Sequence, residues 1–512
     1  MSSSLPASSF QFWGLSDFYT TLLTALGVIL IGYFIWLFIG IYSQCSKLGH
    51  IPGTWQVWFA PFRIPFFAPY LYLGSMGSIP QLAQMMGDAE TQTLRISLAQ
   101  RSIIWVSDPE MLKELLVTKA NNFSKPKQIY EVLNPFDKGN NVLTAPHTEE
   151  WKKHFKICSP GFSSKNLEYM CKIAVESTDL MFKKWDEKLQ QCSQFVLNVG
   201  DYSDITLDVL GKAGFGVDFG IFSSNEEGRQ LRQTMDIIMR RGMILKRFVR
   251  HLPLLYKILS NWSGATQALE TCSKILDKII NQRREEVKNR TSSDVDDGKN
   301  DILSLLVEAN TIENLLTDDE LKSNAFILTL AGHETTSTLL QWTTFELSKR
   351  PEILKKLQTE VTRVLNGRNP TYDDYNSLEY VNAVIMELAK KDTTLGKYQI
   401  PKGSFINAFI LNVHKKESIW KNADEFDPER FKDAETRDRV QHDFTWMPFS
   451  MGNRKCIGYR FSLLEACMIL TKLVQKYDFV LLNDEEKDPV GCSVRVVQRP
   501  TNLKVRVSKR EH

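Results

Sequence analysis

The stretch FSMGNRKCIG, residues 449–458, sets Cys456 in a short loop with Gly452 before it and Gly458 after it. Glycine permits backbone turns that residues with a Cβ resist. An apolar helical pattern follows over about residues 459–477. A cysteine just ahead of a helix faces free N–H groups and the positive end of the helix dipole, and both favour thiolate over thiol. A thiolate is a strong donor to iron, so the stretch predicts a metal-ligand loop.

A lone cysteine is more often a small buried hydrophobe than a ligand, and Cys467 in the following helix fits that description. Cys456 differs because the spacing F-x-x-G-x-R-x-C-x-G fixes five positions in ten residues. With this spacing the chain resembles the cytochrome P-450 family, whose haem-binding signature it matches in full.

The resemblance implies a role for each residue of the loop. Cys456 is expected to be the axial ligand of the iron in haem b. Phe449 is expected to pack beside the sulfur, and Arg454 to meet a haem propionate. Gly452 and Gly458 complete the predicted cofactor-binding loop.

Composition limits the class of protein. The chain has 512 residues, 43% hydrophobic and 24% charged, which is typical of a globular protein with a large core. A net charge of +3 gives no global basic signal, so no nucleic acid partner is expected. The eight cysteines are scattered without a C-x-x-C pair, which argues against a disulfide framework or a zinc site and favours a reducing compartment.

The N-terminal region predicts a membrane anchor. Residues 18–46 contain no Asp, Glu, Lys or Arg, and their apolar core, residues 22–42, is long enough to span a bilayer. A signal peptide has a shorter core after a positive segment, which is absent here, and a buried helix is the other alternative. Asp17 precedes the span and Lys47 follows it, so the positive-inside rule places the bulk of the chain in the cytosol. This single-pass topology resembles that of family members anchored in the endoplasmic reticulum.

These features predict four regions. Residues 1–17 form a flexible N-terminus, residues 18–46 the transmembrane anchor, residues 47–70 a proline-rich hinge, and residues 71–512 the haem-thiolate catalytic domain. The hinge cannot be one continuous helix because it contains several prolines. The resemblance implies the cytochrome P-450 fold, which is mostly α with a small β region.

A long helix is predicted over residues 318–349, and its middle breaks the local rules. The sequence AGHET, residues 331–335, lies between apolar stretches. A glycine inside a helix costs roughly 0.5–1 kcal/mol, and a charge in a buried helix is expensive without a partner or a function. Departures of this kind are typical of functional sites. A capping or salt-bridging glutamate on a surface helix is the alternative, and it fits the apolar flanks poorly.

The same stretch resembles the family's oxygen-binding motif, (Ala/Gly)-Gly-x-(Asp/Glu)-Thr. The resemblance implies that Ala331 and Gly332 leave room above the porphyrin for dioxygen. Thr335 is expected to hydrogen-bond the bound oxygen, and Glu334 to relay protons from solvent. Glu334 and Thr335 are therefore the predicted catalytic residues.

A second haem-facing helix is predicted at WKKHFK, residues 151–156, which resembles the family's Trp-x-x-x-Arg helix. Phe155 stands where arginine is expected. Trp151 and His154 are the predicted donors to a haem propionate. Lys156 is one position further along the helix and points about 100° away.

The family's Glu-x-x-Arg element is incomplete. Its glutamate matches Glu387, but Lys390 stands at the arginine position. In the family these two residues form a buried network with the arginine of a Pro-Glu-Arg-Phe element, here Arg430. Lysine lacks the planar fork of arginine, and breaking such a network costs about 3–5 kcal/mol. The turn and strand expected next are also missing, which indicates an internal deletion; a splice variant, a faulty gene model and a true loss all remain open.

Three further regions carry structural predictions. Residues 94–98 and 102–107 are predicted to be paired strands, with a helix starting at Asp108. The C-terminus predicts a hairpin of residues 494–497 and 503–507 with its turn at Arg499 to Asn502. Residues 215–259 mix apolar with basic side chains, which fits either a solvated helix face or a lid that touches the anionic leaflet and roofs the substrate cavity.

Taken together, the resemblance implies an oxidoreductase, a haem-thiolate monooxygenase. It is expected to insert one atom of O2 into an apolar, lipid-like substrate such as a fatty acid, sterol or xenobiotic. Electrons are expected from NADPH through a membrane-bound reductase that docks on the proximal, Cys456 side. The alternative is an impaired relative that acts at most as a membrane-bound binding protein, because it lacks the Glu-x-x-Arg arginine and the following strand.

Overall fold

A computed structural model describes residues 13–56, 87–98, 101–126, 130–136, 138–146, 148–223, 226–289, 301–388, 405–494 and 497–510. Most of the predicted hinge, the first twelve residues and the predicted break around Lys390 lie outside these ranges. The chain forms two compact units. Unit 1 comprises Met1–Thr118 and Lys391–Ile419, and unit 2 comprises Lys119–Lys390 and Trp420–His512.

Unit 1 begins with the predicted apolar helix, α1 (Trp13–Leu48). Its stretch Thr20–Gly40 is long and apolar enough to cross a membrane. The side chains along it are exposed, for example Leu23 and Val28 at 67% and 69%. An apolar helix that buries none of its faces in the protein matches the predicted anchor.

The rest of unit 1 is a four-stranded sheet in the order β1-β2-β3-β5. Its strands are β1 (Gly53–Gln56), β2 (Leu94–Leu98), β3 (Arg101–Val106) and β5 (Phe405–Ala408). Strands β2 and β3 pair antiparallel, as predicted, with Leu94 opposite Trp105. Asp108 caps the next helix, α2 (Pro109–Lys113), by accepting a hydrogen bond from the Met111 N–H at 3.1 Å. A short helix, Ile410–His414, follows β5.

Unit 2 is mostly helical. Its helices from the N-terminal side are α3 (Thr148–Cys158), α4 (Ser164–Gln191), α5 (Gly200–Val209), α6 (Glu226–Ile237), α7 (Met243–Phe248), α8 (Pro253–Trp262), α9 (Ala265–Lys288), α10 (Ile302–Thr311), α11 (Asp318–Lys349), α12 (Pro351–Leu365) and α13 (Glu379–Leu388). After the short helix of unit 1, numbered α14, come α15 (Ala434–His442) and α16 (Tyr459–Lys476). This composition confirms the predicted mostly α fold with a small β region.

Helix α11 is the centre of unit 2. It has 32 residues and starts at a capping box in which Thr317 and Glu320 bond each other's backbone N–H. Helix α5 packs along it, and the Thr206 hydroxyl donates to the His333 carbonyl at 3.0 Å. On another side, Thr336 and Ser462 share a hydrogen bond of 3.0 Å that joins α11 to α16.

The predicted C-terminal hairpin is wrong. Strand β7 (Gly491–Val494) pairs with β8 (Gln498–Thr501), so the predicted turn residues form a strand. Asn502 has φ of 60°, which turns the chain away from β8. Strand β9 (Val505–Lys509) joins a different sheet, between β4 (Gln194–Val196) and β6 (Tyr477–Leu481). Strand β9 alternates buried valines with more exposed polar residues, and this pattern suits a place beside two partners.

Candidate active site

The cysteine loop is closed by its own backbone. The Cys456 N–H donates to the Phe449 carbonyl at 2.9 Å, and helix α16 begins three residues later. Gly452 has φ of +70°, a conformation that favours glycine, as predicted. Gly458 has φ of −91°, so the prediction that its backbone turn needs a glycine is wrong, whereas its place in the cofactor-binding loop stays a prediction. The Phe449 ring lies 6.3 Å from the ring of Tyr459.

Cys456 is exposed, although many protein atoms lie around its sulfur. Burial raises the pKa of Cys456, although the N–H of Gly458 and the charge of Lys455 act in the opposite direction. The sequence predicted the reverse from the free N–H groups and the dipole at the helix end, and that prediction took no account of burial. An iron ion supplies the charge that holds a coordinating sulfur as thiolate.

The middle of α11 presents one face to open space. Ala331 and Thr335, one helical turn apart, are exposed, whereas His333, Glu334 and Thr336 are buried. The Thr335 hydroxyl donates to the Ala331 carbonyl at 2.7 Å. This back-bonding is a known cause of helix distortion. Ala331 and Thr335 therefore line an accessible face, as the oxygen-binding interpretation requires.

Gly332 has a different neighbour from the one predicted. A Cβ at this position would lie 2.9 Å and 3.0 Å from the two methyl carbons of Leu210. Leu210 is buried in the wide helical turn that continues α5. The space beside Gly332 is thus filled by Leu210, and the glycine allows close packing of α5 on α11. Whether Gly332 also leaves room for dioxygen stays a prediction.

Glu334 is buried and ion-paired. Arg499 of β8 donates from Nη2 to Glu334 Oε2 at 2.5 Å, and the two side chains are 14% and 7% exposed. Oε1 of Glu334 makes no hydrogen bond to any described residue. His333 lies on the same side, with Nε2 3.9 Å from Oε2. Burial lowers the pKa of His333, so its ring is neutral near pH 7.

Arg499 was missed by the sequence analysis. Residues 499–502 resemble a turn, and no local pattern connects them with Glu334, which lies 165 residues earlier. The only available signal was the buried glutamate itself, because a charge in a dry environment needs a partner.

Trp151 and Arg454 are brought together, as predicted for two propionate-binding residues. The guanidinium carbon of Arg454 lies 4.6 Å from the centre of the Trp151 ring. Arg454 Nη1 also donates to the Ala145 carbonyl at 3.2 Å. The two residues come from α3 and from the cysteine loop, which are about 300 residues apart in sequence.

His154 faces the start of α11. Asn324 Nδ2 donates to its Nδ1 at 3.0 Å, and the amide orientation is fixed because Asn324 Oδ1 accepts from the Val142 N–H at 2.9 Å. His154 Nε2 lies 3.7 Å from Glu320 Oε1. Burial lowers the pKa of His154 to about 4, so the ring is neutral and carries its proton on Nε2. Nδ1 is occupied by Asn324, whereas Nε2 makes no hydrogen bond to any described residue, and the donation from His154 to a propionate stays a prediction.

The Nε2-protonated form of His154 also decides whether a neighbouring cluster can bind a metal ion. Glu150, His154 and Glu320 bring three potential ligand atoms within 4.8 Å of one another. A protonated Nε2 has no lone pair for a metal ion. The cluster is better explained as a polar junction between α3 and α11, since Lys153 already pairs with Glu320 at 2.6 Å.

Two members of the predicted structural network are paired. Arg430 Nε lies 3.0 Å from Glu387 Oε2, and the side chains are 10% and 4% exposed. Arg430 also donates from Nη1 to the Lys421 carbonyl at 2.8 Å. These contacts orient Arg430; Lys390 lies outside the described residues.

Comparison with known proteins decides the family, since the model of the cytochrome P-450 family matches residues 60–507. The chain belongs to the cytochrome P-450 family. It is 30% identical over 404 residues to 11-oxo-beta-amyrin 30-oxidase from Glycyrrhiza uralensis, covering 73% of each chain. It is 28% identical over 403 residues to secologanin synthase 1 from Catharanthus roseus, covering 73% of this chain and 74% of the relative. A second 11-oxo-beta-amyrin 30-oxidase, from Medicago truncatula, is 28% identical over 444 residues, covering 80% of each chain.

This P-450 is accordingly a haem-dependent monooxygenase by family. Its residues fit that cofactor, because Cys456 presents an accessible sulfur and Ala331 and Thr335 form an accessible helix face. Haem with cysteine-thiolate ligation follows from the family.

Proposed function

We propose that this P-450 binds haem b through Cys456 and inserts one atom of O2 into an apolar, lipid-like substrate. The observation that carries the proposal is the hydrogen bond between Thr336 and Ser462, at 3.0 Å. It ties the helix that bears Thr335 to the helix that follows Cys456. Both predicted motifs therefore belong to one packed core.

The haem, when bound, activates O2 for insertion into a C–H bond. Cys456 supplies the sulfur ligand, and Phe449 flanks the loop that carries it. Thr335 offers its hydroxyl on the accessible face of α11. Glu334 lies behind that face as a carboxylate, and its Oε1 is the atom we assign to proton transfer because Oε2 is held by Arg499.

The substrate class and the location are supported by two apolar surfaces, one in each unit. Helix α1 is exposed along its apolar length. In α8, Leu254 and Trp262 are 74% and 86% exposed, and Lys257 on the same helix is exposed as well. Exposed apolar side chains beside basic ones suit an anionic membrane surface, as the lid interpretation of this region proposes. We infer anchoring in the endoplasmic reticulum with the catalytic domain in the cytosol.

The electron donor is proposed to be an NADPH-dependent reductase that docks on the Cys456 side. Lys455 and Arg460 flank the cysteine in sequence and are exposed. Exposed basic residues at this position can steer an acidic partner. The names of the relatives, which include two 11-oxo-beta-amyrin 30-oxidases, support an oxidase that acts on an apolar compound.

A second candidate is an impaired relative that binds apolar molecules without turnover. Phe155 at the arginine position of α3 and Lys390 at the arginine position after Glu387 favour it. Loss of arginine at both positions weakens contacts that hold the haem or its surroundings in the family. The paired Glu387 and Arg430 favour the active enzyme instead.

One spectrum distinguishes the two candidates. The detergent-solubilised full chain is reduced, exposed to carbon monoxide and compared with its Cys456→Ser variant. The active enzyme shows the red-shifted Soret band of thiolate-ligated haem, and the variant lacks it. A panel of lauric acid, sterols and small polar compounds then tests the substrate class; turnover of polar compounds alone contradicts it. The absence of the band in the unmodified chain supports the impaired relative.

A further inference from the structure

Two cations converge near the cysteine loop with no carboxylate between them. Lys125 donates from Nζ to the Leu143 carbonyl at 2.7 Å, and Arg454 donates from Nη1 to the Ala145 carbonyl at 3.2 Å. The two carbonyls lie two residues apart on one loop. Within the parts of the chain that the structure describes, no carboxylate forms an ion pair with either cation.

Aromatic rings complete the cluster. Lys125 Nζ lies 4.9 Å from the centre of the Tyr130 ring, and Arg454 stacks on Trp151 at 4.6 Å. Rings of this kind favour cations but do not neutralise them. The cluster of Lys125, Tyr130, Trp151 and Arg454 therefore presents two positive charges and a phenol.

The electrostatics of this cluster favour an anionic ligand. Burial, and secondarily the charge of Arg454, lowers the pKa of Lys125 to about 8. Desolvated like charges without a counter-ion are unfavourable, and an anionic ligand removes that penalty.

Helix α3 supplies no cation of its own here. Phe155 packs its ring 4.9 Å from that of Trp151. Lys152 pairs with Glu149 at 2.8 Å, Lys153 pairs with Glu320 at 2.6 Å, and Lys156 is exposed. The charge missing at position 155 must come from another segment.

We propose that Lys125 and Tyr130, together with Arg454 and Trp151, bind the carboxylates of the haem propionates in place of the arginine that α3 lacks. This proposal rests on the proposed function, since it presumes that the chain binds haem. Lys125 lies in the segment before α3, where the family motifs gave no reason to look for a ligand. Lys125 and Tyr130 thus help to hold the cofactor in position.

The test measures haem retention rather than turnover. The full-length, haem-loaded protein in detergent is mixed with excess apomyoglobin, and the rate of haem transfer is recorded. Loss of one charge-assisted hydrogen bond in Lys125→Gln should speed haem loss by about tenfold or more. Lys125→Arg should stay close to the unmodified protein, and Lys156→Gln, a matched lysine in the neighbouring helix, should not change the rate. Adding Phe155→Arg to Lys125→Gln should restore slow release.

A second measurement identifies the carboxylates as the target. Haem and its dimethyl ester, which has no free carboxylates, are each used to reconstitute the apo chain. The unmodified protein should prefer haem, and Lys125→Gln should lose most of that preference. Equal binding of both compounds by the unmodified protein overturns the proposal without any variant. Equal weakening of both compounds in Lys125→Gln overturns it as well, because the lysine is then merely structural.

The outcomes separate this proposal from the proposed function. A thiolate-type spectrum together with unchanged haem release in Lys125→Gln overturns only the role of Lys125. No haem uptake by the unmodified chain overturns both. Faster release with loss of ester discrimination supports both.

Discussion

Arg499 and Glu334 form a buried ion pair, with Nη2 2.5 Å from Oε2, between a C-terminal strand and the middle of the central helix. Strand β8 is held in place because Trp342 of α11 donates from Nε1 to the Gln498 carbonyl at 2.8 Å. Glu334, the acid assigned to proton transfer, is thus oriented by a residue of a distant β-strand. This dependence leads to a prediction about coupling between oxygen consumption and product formation.

Arg499→Met is expected to leave the carboxylate of Glu334 without its counter-ion. An unpaired buried carboxylate is unfavourable, and without the arginine the side chain of Glu334 loses its fixed orientation. We expect product formation to fall by about tenfold, with more O2 reduced to peroxide, against a loss of about a hundredfold for Glu334→Gln. The measurement is the ratio of product to NADPH consumed.

Arg499→Lys is the control for charge without the guanidinium fork, and it should retain part of the coupling. Arg506→Met, in strand β9 of a different sheet, should have no effect. Unchanged coupling in Arg499→Met would contradict the assignment of Arg499 as a positioning residue.

Gly332→Ala is predicted to destabilise the fold. The new Cβ would lie 2.9 Å from a methyl carbon of Leu210, which is buried and has its second methyl almost as close. Overpacking costs about 1–3 kcal/mol, and the better helix propensity of alanine returns up to about 1 kcal/mol. We expect a net loss of about 1 kcal/mol in the free energy of unfolding, measured by urea denaturation.

The matched variant is Leu210→Ala. On its own it should destabilise the protein by opening a cavity. Combined with Gly332→Ala, the loss should be smaller than the sum of the two single losses, because the alanine methyl fills part of that space. Additive losses would show that Gly332 and Leu210 do not share this contact.

The sequence predicted what is encoded locally. The cysteine loop and the break in the middle of α11 are short patterns whose residue types are unusual for their elements, so Cys456, Ala331 and Thr335 could be picked out as candidates. Sequence does not show which side chain fills the space beside Gly332. Leu210 fills it from another helix.

Contacts between distant segments were beyond sequence reasoning. Arg499 and Lys125 matter because of what lies beside them in the fold, and neither belongs to a motif. The C-terminal hairpin was misplaced for the same reason: a strand such as β9 can pair with any exposed edge, and its register is set by the whole sheet.

Haem affinity is predicted to fall as pH rises above about 8, the pKa of Lys125 in the haem-free chain. Propionate binding raises that pKa, so the haem-bound state holds more protons and higher pH favours release. The charged or titratable groups that act on Lys125 are Arg454, which lowers its pKa, and the nearby Tyr130. Equilibrium titrations with haem from pH 6 to 10 measure the effect.

Lys125→Arg separates this effect from the titration of Cys456. Arginine stays charged over the whole range, so the decline in affinity that belongs to Lys125 should disappear. A decline of equal size in both proteins would assign the pH dependence to another group.

Arg430→Met is predicted to be more damaging than replacing both members of its ion pair. Removing Arg430 takes away the cation 3.0 Å from the carboxylate of Glu387, which is 4% exposed, and breaking a buried ion pair from one side costs about 3–5 kcal/mol. The double variant Glu387→Gln, Arg430→Met leaves neither charge of the pair buried and should lose less stability than Arg430→Met alone. Thermal unfolding and haem content measure both, with the exposed Lys432→Met as a neutral control. If the double variant is as unstable as Arg430→Met, the packing of the arginine side chain and its carbonyl contacts, and not the ion pair, stabilise this region.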